Sequence, residues 1–172
     1  MQKRALVYLW TGLGAGKTTS ALGAALRQLG HGHRVTIIQF MKGRKYVGEI
    51  KIAKKLGPKY KIHQFGRAEW VDVLHPSKKD KELAAKGLEF AYTTAKQKPN
   101  LLILDEINYA VALGLLSEND VLKFLDTVQS PTVVYMTGRF ATLGLINRAD
   151  FVTEVVTLKM PAKITPKKGV DY

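Results

Sequence analysis

The stretch Thr11-Gly12-Leu13-Gly14-Ala15-Gly16-Lys17-Thr18-Thr19 follows directly on the apolar run Ala5–Trp10. A short strand, a glycine-rich turn and a helix that opens with Lys-Thr form the layout of a phosphate-binding loop. In such a loop the backbone N–H groups surround phosphate oxygens, Lys17 adds positive charge, and Thr18 offers a hydroxyl to Mg²⁺. Thr11 stands where the usual G-x-x-x-x-G-K-[ST] pattern has its first glycine. We predict that Thr11 to Thr19 binds a nucleotide; the alternative is a turn that only caps a helix.

Apolar runs and helical patterns alternate along the whole chain. The predicted strands are Ala5–Trp10, Arg34–Phe40, Tyr60–Phe65, Leu101–Asp105, Thr132–Met136 and Phe151–Leu158. The predicted helices are Lys17–Leu29, Glu49–Leu56, Lys78–Lys96, Glu118–Val128 and Ala141–Asn147. This alternation predicts an α/β fold of three layers, with a mostly parallel central sheet and helices on both faces. We expect a single nucleotide-binding domain over 1–172, with an irregular C-terminal segment from about 158 to 172.

The composition limits the chemistry and the partners of the chain. It has no cysteine, which excludes disulfides, thiolate nucleophiles and cysteine-ligated metals. No apolar run is long enough to span a bilayer, so we expect a cytoplasmic protein without a membrane partner. The net charge of +13 would suit a nucleic-acid ligand. Because the positive charges are scattered along the sequence, we expect no nucleic-acid partner.

The apolar strand Leu101–Asp105 ends in two adjacent carboxylates, Asp105 and Glu106. In phosphate-loop proteins such a strand lies close to the loop, and its acidic end holds Mg²⁺ directly or through water. The sequence therefore predicts a metal site formed by Thr18, Asp105 and Glu106. The alternative is that the two acids cap and begin the helix that follows.

Two further positions are candidates for ligand contact. Arg139, in Thr137-Gly138-Arg139, follows a predicted strand where an arginine can bind phosphate oxygens in a bidentate manner, although a surface arginine near a turn would show the same pattern. Trp70 is flanked by charged and small residues rather than by an apolar stripe. It therefore suits stacking on a flat ligand, but a loop tryptophan that covers the core is equally compatible with this spacing.

Several segments together resemble the ATP:corrinoid adenosyltransferases, which place the 5′-deoxyadenosyl group on the cobalt of cobalamin and its precursors. The similar segments are Thr11–Thr19, Leu29–Gly32, Ile38–Gly43, Gly48-Glu49, Trp70, Leu104–Tyr109, Thr137–Arg139, Ala149-Asp150 with Glu154, and Gly169–Tyr172. Each segment is common alone, whereas their order and spacing are specific. The resemblance implies a RecA-like fold in a protein that is usually a homodimer and binds ATP and Mg²⁺. It also implies that a reductase or another donor supplies the electron that reduces the cobalt.

The resemblance also implies roles for individual residues. Reduced cobalt(I) would attack the 5′ carbon of ATP, and triphosphate would leave, so the protein positions the reactants and stabilises the departing charge. The implied catalytic residues are Lys17, Arg139 and Glu106, and the implied corrinoid contacts are Trp70 and Phe65. Second-rank candidates for nucleoside or outer contacts are Thr19, Gln39, Glu49, Tyr109 and Asp150. Ala68 stands where the family often has a phenylalanine, so that part of the corrinoid site is expected either to be incomplete or to be supplied by Phe65.

Two alternative functions are compatible with the residues alone. A RecA-like ATPase stimulated by nucleic acid would use the same loop, and so would a small-molecule kinase that transfers the γ-phosphoryl group. A non-catalytic corrinoid carrier is disfavoured, because the spacing of Asp72 and His75 does not match a cobalt-ligating Asp-x-His-x-x-Gly pattern.

Overall fold

The computed structural model describes residues 3–69, 71–163 and 165–170. These residues contain six strands: β1 Leu6–Thr11, β2 Val35–Phe40, β3 Tyr60–Phe65, β4 Leu101–Asp105, β5 Val133–Thr137 and β6 Phe151–Glu154. All strand pairs are parallel, and the strands lie in the order β3-β2-β4-β5-β1-β6. The predicted parallel α/β sheet is therefore confirmed.

Helices cover both faces of this sheet. They are α1 Lys17–Gly30, α2 Gly48–Leu56, α3 Lys78–Lys96, α4 Ile107–Ala112, α5 Glu118–Thr127 and α6 Leu143–Arg148. Successive residues of a strand point to opposite faces, and Ile37 and Ile38 of β2 accordingly belong to two different apolar clusters. The cluster around Ile37 includes residues of α1 and α2, and the cluster around Ile38 includes residues of α3 to α6. The result is the three-layer architecture that the sequence predicts.

Two elements differ clearly from their predictions, whereas most of the others are shifted by only one or two residues. The last strand ends at Glu154 rather than at Leu158, because its partner β1 ends at Thr11, which is paired with Glu154. Beyond that point Val155 bonds Thr11 and the loop after β1. The short helix α4 was not predicted as a separate element; its six residues are too few to show a helical period. In contrast, β3, β4 and α3 have the predicted bounds.

The parallel arrangement brings the carboxyl ends of the strands to one edge of the sheet, where open α/β sheets bind ligands. Thr11, Phe40, Asp105 and Thr137 are the last residues of β1, β2, β4 and β5. One strand, β5, lies between β1 and β4, so the phosphate loop and Asp105 are separated by the end of β5. Within the described parts of the chain, no helix is both long and apolar enough to cross a membrane.

Candidate nucleotide and metal site

The predicted phosphate loop connects β1 to α1 and is fixed by the segment after β6. Thr11 is still in the strand, so the left-handed backbone that opens the loop falls on Gly12, with φ 94°. The N–H of Val155 donates to the Thr11 carbonyl at 2.9 Å, and the N–H of Gly14 donates to the Val155 carbonyl at 2.8 Å. A Cβ at Gly14 would lie 2.8 Å from that carbonyl oxygen. The glycines are therefore required by this close approach as well as by the turn.

Lys17 opens α1 from a left-handed Gly16 with φ 106°. The lysine is 7% exposed, and its Nζ donates to the carbonyl oxygen of Gly14 at 2.6 Å. Burial lowers the pKa of Lys17, the charge of Glu106 acts in the opposite direction, and Arg139 lowers it further. The ammonium group therefore lies inside the loop, next to the backbone that would surround a phosphate.

Asp105 lies at the centre of a polar network at the end of β4. Its Oδ1 accepts hydrogen bonds from the hydroxyls of Thr18 at 2.8 Å and Thr137 at 2.6 Å. Its Oδ2 accepts from Lys42 Nζ at 2.7 Å and from Gln39 Nε2 at 3.0 Å. Burial alone would raise the pKa of this carboxyl, but the Lys42 charge and the hydrogen bonds from Lys42, Thr137 and Thr18 outweigh it and lower the pKa. Asp105 is therefore ionised, and hydrogen bonds already engage both of its oxygens.

Glu106 has the opposite environment. It occupies the N-cap position of α4 with φ 65°, and its side chain makes no capping hydrogen bond. Its own N–H donates to the Thr137 hydroxyl at 3.0 Å, whereas its carboxylate accepts no hydrogen bond from the described residues. Burial and the neighbouring charge of Asp105 raise the pKa of Glu106, although Lys42, Lys17 and Arg139 counteract this. Asp105 is still in β4, and Glu106 occupies the N-cap position of α4 without a side-chain capping bond, so neither acid caps this helix through its carboxylate.

These residues fit a magnesium ion. A hydroxyl and two carboxylates are the hard oxygen ligands that Mg²⁺ prefers, and Mg²⁺ usually takes only one or two carboxylates together with substrate phosphates and waters. Among the described residues, no cluster of three or more histidine, cysteine or acidic side chains could hold a metal by itself. Glu106, whose carboxylate has no hydrogen-bond donor, is better suited to direct ligation, and Asp105 to orienting Thr18.

Arg139 follows β5 at the same edge. A Cβ on the preceding Gly138, with φ 136°, would lie 2.7 Å from the backbone nitrogen of Tyr109, so only glycine allows the chain to turn here. The Arg139 side chain is exposed and makes no hydrogen bond or ion pair with the described residues. It lines a cavity together with Leu13 and Ala15 of the loop and residues of the segment 157–167. The structure therefore brings Arg139 beside the predicted phosphate loop.

The second-rank candidates have different outcomes. Gln39 joins the network, since its Nε2 also lies 3.4 Å from Glu49 Oε1. Tyr109 contacts Phe140 near the edge, with ring centroids 5.7 Å apart, while Thr19 is exposed on α1. Asp150 was predicted as a nucleoside or outer contact, and this is wrong. It bonds Arg4 and the N–H of Val7 at the opposite end of the sheet.

Sequence reasoning missed three residues of the site. Lys42 bonds both Asp105 and, at 3.1 Å, the Thr18 hydroxyl. Gln64 donates to Gln39 Oε1 at 2.9 Å and so extends the network to β3. Asn108 is fully buried, and its Nδ2 donates to the carbonyls of Trp10 at 3.1 Å and Gly138 at 3.4 Å. Their positions in the sequence could have indicated a role for two of them, because Lys42 and Gln64 lie at the carboxyl ends of neighbouring strands.

The structure describes one of the two predicted corrinoid contacts. Phe65 ends β3, and its ring lies 5.4 Å from that of Phe90, partly buried against the apolar core. Trp70 lies outside the described residues. Its assignment, like that of Phe65, stays a prediction.

The profile of the ATP:corrinoid adenosyltransferase BtuR/CobO/CobP family matches residues 3–172. The chain belongs to this family. A corrinoid adenosyltransferase of Pseudomonas aeruginosa is 31% identical over 172 residues, which cover 99% of this chain and 85% of that protein. Corrinoid adenosyltransferase CobA of Salmonella typhimurium is 28% identical over 176 residues, which cover 99% and 87%. Membership in the corrinoid adenosyltransferase family favours adenosyl transfer over the alternative ATPase and kinase functions.

A solved structure supports the fold alone. The flagellar accessory protein FlaH from Methanocaldococcus jannaschii superposes with a TM-score of 0.58, covering 95% of this chain and 76% of its own, at 12% identity.

Proposed function

We propose that this adenosyltransferase moves the 5′-deoxyadenosyl group of ATP to cobalt(I) of a corrinoid and releases intact triphosphate. The observation that supports this most directly is the convergence of Lys17, Arg139 and the Thr18–Asp105 pair at one sheet edge in a member of this family. These groups are suited to holding a polyphosphate as a leaving group.

The proposed step forms one bond and breaks one. The electron pair of cobalt(I) forms a bond to the 5′ carbon of ATP, the bond from that carbon to the α-phosphate oxygen breaks, and its electron pair leaves with triphosphate. Cobalt is formally oxidised by two electrons and carbon is reduced. The chain's contribution is electrostatic, since donors aimed at a developing negative charge lower the barrier without a protein nucleophile.

Each charged residue has a separate part in this proposal. Lys17 and the amides of residues 12–16 hold the phosphates from inside the loop, and Arg139 contacts them from the exposed side. Thr18 and Glu106 hold Mg²⁺, while Asp105 orients the Thr18 hydroxyl. The metal supplies positive charge that offsets the charge of the bound polyphosphate and of the released product.

The acceptor and the assembly are proposals of the same kind. Phe65 and Trp70 form the wall against the corrinoid, which keeps the lower face of the cobalt without a ligand and so eases its reduction. A reductase or other donor supplies the electron in the cytoplasm, and two chains form a homodimer. Nucleic acid is not a partner.

The decisive experiment is an analysis of products. The protein is incubated with Mg·ATP and chemically reduced cobalamin, and the products are separated by chromatography. We expect a light-sensitive cobalt–carbon product and one equivalent of triphosphate. ADP with a phosphorylated acceptor would identify a kinase, and ADP with phosphate that rises on adding DNA or RNA would identify a stimulated ATPase.

Two variants test the loop. Lys17→Ala removes the ammonium that stabilises the departing charge, so we expect kcat to fall by about 100-fold. Lys86→Ala removes an exposed lysine from α3 and changes the net charge by the same amount. We expect the kcat of this variant to match that of the wild type. Equal activity of the Lys17→Ala variant and the wild type would refute the assignment of the loop.

A further inference from the structure

Lys42 holds oxygens that the metal site also needs. Its Nζ lies 2.7 Å from Asp105 Oδ2 and 3.1 Å from the Thr18 hydroxyl. The Lys42 side chain is 31% exposed, whereas that of Asp105 is 1% exposed. One end of the ion pair is therefore fixed in the core, and the other end borders solvent, where a ligand can reach it.

The backbone around Lys42 is held tightly. Met41 has a left-handed φ of 59°, and its N–H donates to the Phe65 carbonyl at 3.1 Å. A Cβ on Gly66 would overlap the backbone of Met41 and Lys42, and a Cβ on Gly43 would lie 2.5 Å from the Gly66 carbonyl oxygen. The turns after β2 and β3 thus pack backbone against backbone. The position of the lysine is set by the main chain, and only its flexible four-carbon side chain is free to redirect the ammonium group.

An ammonium group and a divalent cation exclude each other from this position. Both are attracted to Asp105 and to the lone pairs of the Thr18 hydroxyl, and two positive charges a few ångströms apart repel strongly in a partly buried site. A polyphosphate changes this balance, because it brings negative charge for both cations at once.

We propose that Lys42 is an internal counter-ion that competes with the divalent metal for the Thr18 hydroxyl and for the negative charge of Asp105, and that turns to the polyphosphate when a nucleotide binds. This inference rests on the proposed Mg·ATP site. Its consequence is that metal alone binds weakly, and that nucleotide and metal favour each other's binding by the same factor. The lysine keeps the buried Asp105 neutralised before the substrate arrives.

The test measures binding in the absence of corrinoid. Mn²⁺ replaces Mg²⁺ because free Mn²⁺ is counted by electron paramagnetic resonance, and ATP binding with a chelator is measured by calorimetry. Lys42→Met keeps most of the side-chain volume and removes the charge. We expect it to bind Mn²⁺ alone about tenfold more tightly than the wild type and to bind metal-free ATP about tenfold more weakly.

Lys45→Met is the matched control, since Lys45 is exposed three residues further along, and we expect both affinities to stay at wild-type values. Lys42→Arg keeps the charge and should also resemble the wild type. If Lys42→Met fails to fold, Lys42→Gln provides the same comparison. Unchanged or weaker Mn²⁺ binding in the neutral variants would overturn the proposal. Opposite shifts for Mn²⁺ and ATP, in a protein that nevertheless makes ADP, would support it and refute adenosyl transfer.

Discussion

Among the described residues two aspartates are almost completely buried, and they have different surroundings. Asp105, at the end of β4, is bonded by Lys42, Gln39, Thr18 and Thr137, side chains that come from four different elements or turns. Asp80, in the first turn of α3, is 2% exposed in its side chain. It accepts hydrogen bonds from Arg67 at 2.9 and 3.1 Å.

The remaining bonds of Asp80 are local. Ser77 and Asp80 form a capping box at the start of α3, in which each side chain bonds the backbone N–H of the other residue. Asp80 therefore fixes a helix to the preceding loop and faces no proposed ligand. The comparison teaches that burial and a charged partner do not by themselves mark a functional acid. The distinguishing feature is whether the partners are also those a substrate would need.

When each aspartate is replaced by asparagine, the largest difference between the two variants is expected in catalysis. In Asp105→Asn the new NH₂ group meets Thr18 and Thr137 in one amide orientation, or Lys42 and Gln39 in the other, so donor opposes donor. We expect kcat for adenosyl transfer to fall by about 100-fold. Initial rates at saturating ATP and reduced cobalamin would measure it. An Asp105→Asn enzyme with wild-type kcat would remove the functional distinction between the two acids.

The fold of this chain was predictable where local patterns are strong. The apolar runs of β3 and β4 and the long stripe of α3 gave the correct bounds, and the loop glycines gave the position of Lys17 and Thr18. Lys42 was missed because its role depends on β2 lying beside β4 and on the left-handed Met41. Asp150 was misplaced for a related reason. Its sequence neighbours resemble the family, but the register of β6 places it at the far end of the sheet.

Asp80→Asn is expected to change stability rather than catalysis. The amide opposes the guanidinium of Arg67 or the N–H of Ser77, so we expect the Tm to fall by on the order of 5 °C, while kcat per folded molecule stays within twofold of the wild type. Asp120→Asn, at an exposed position in the first turn of α5, is the control. Scanning calorimetry and initial rates on the same preparations would measure both quantities. A large loss of kcat at full occupancy of the folded state would contradict the structural role.

The stability difference between the wild type and Asp80→Asn is expected to depend on pH. The hydrogen bond from Arg67 is the main cause that lowers the pKa of Asp80 below its ordinary value of 3.8, and the Ser77 bonds lower it further. At a pH just below 3.8, the unfolded chain therefore binds more protons than the folded chain. The stabilisation by Asp80 is complete above pH 3.8 and is lost as the pH falls through the pKa of the folded state. We expect the Tm difference between wild type and Asp80→Asn to be constant from pH 7 to about pH 5 and to shrink below about pH 4.

The smallest effect concerns the other half of the capping box. Ser77→Ala removes the acceptor for the N–H of Asp80 at 3.2 Å and the hydroxyl that donates to its carboxylate at 2.6 Å. We expect a loss of about 1 kcal/mol in the free energy of unfolding, or about 3 °C in Tm. Ser117 is a matched control, because it occupies the N-cap of α5 without a side-chain capping bond, and Ser117→Ala should cost less than about 0.5 kcal/mol. Equal losses in the two serine variants would mean that the Ser77 hydroxyl adds nothing. The stability of the start of α3 would then depend on the Arg67–Asp80 pair alone. In that case Asp80 and Asp105 would differ as two ion pairs differ, and not as a helix cap differs from a ligand site.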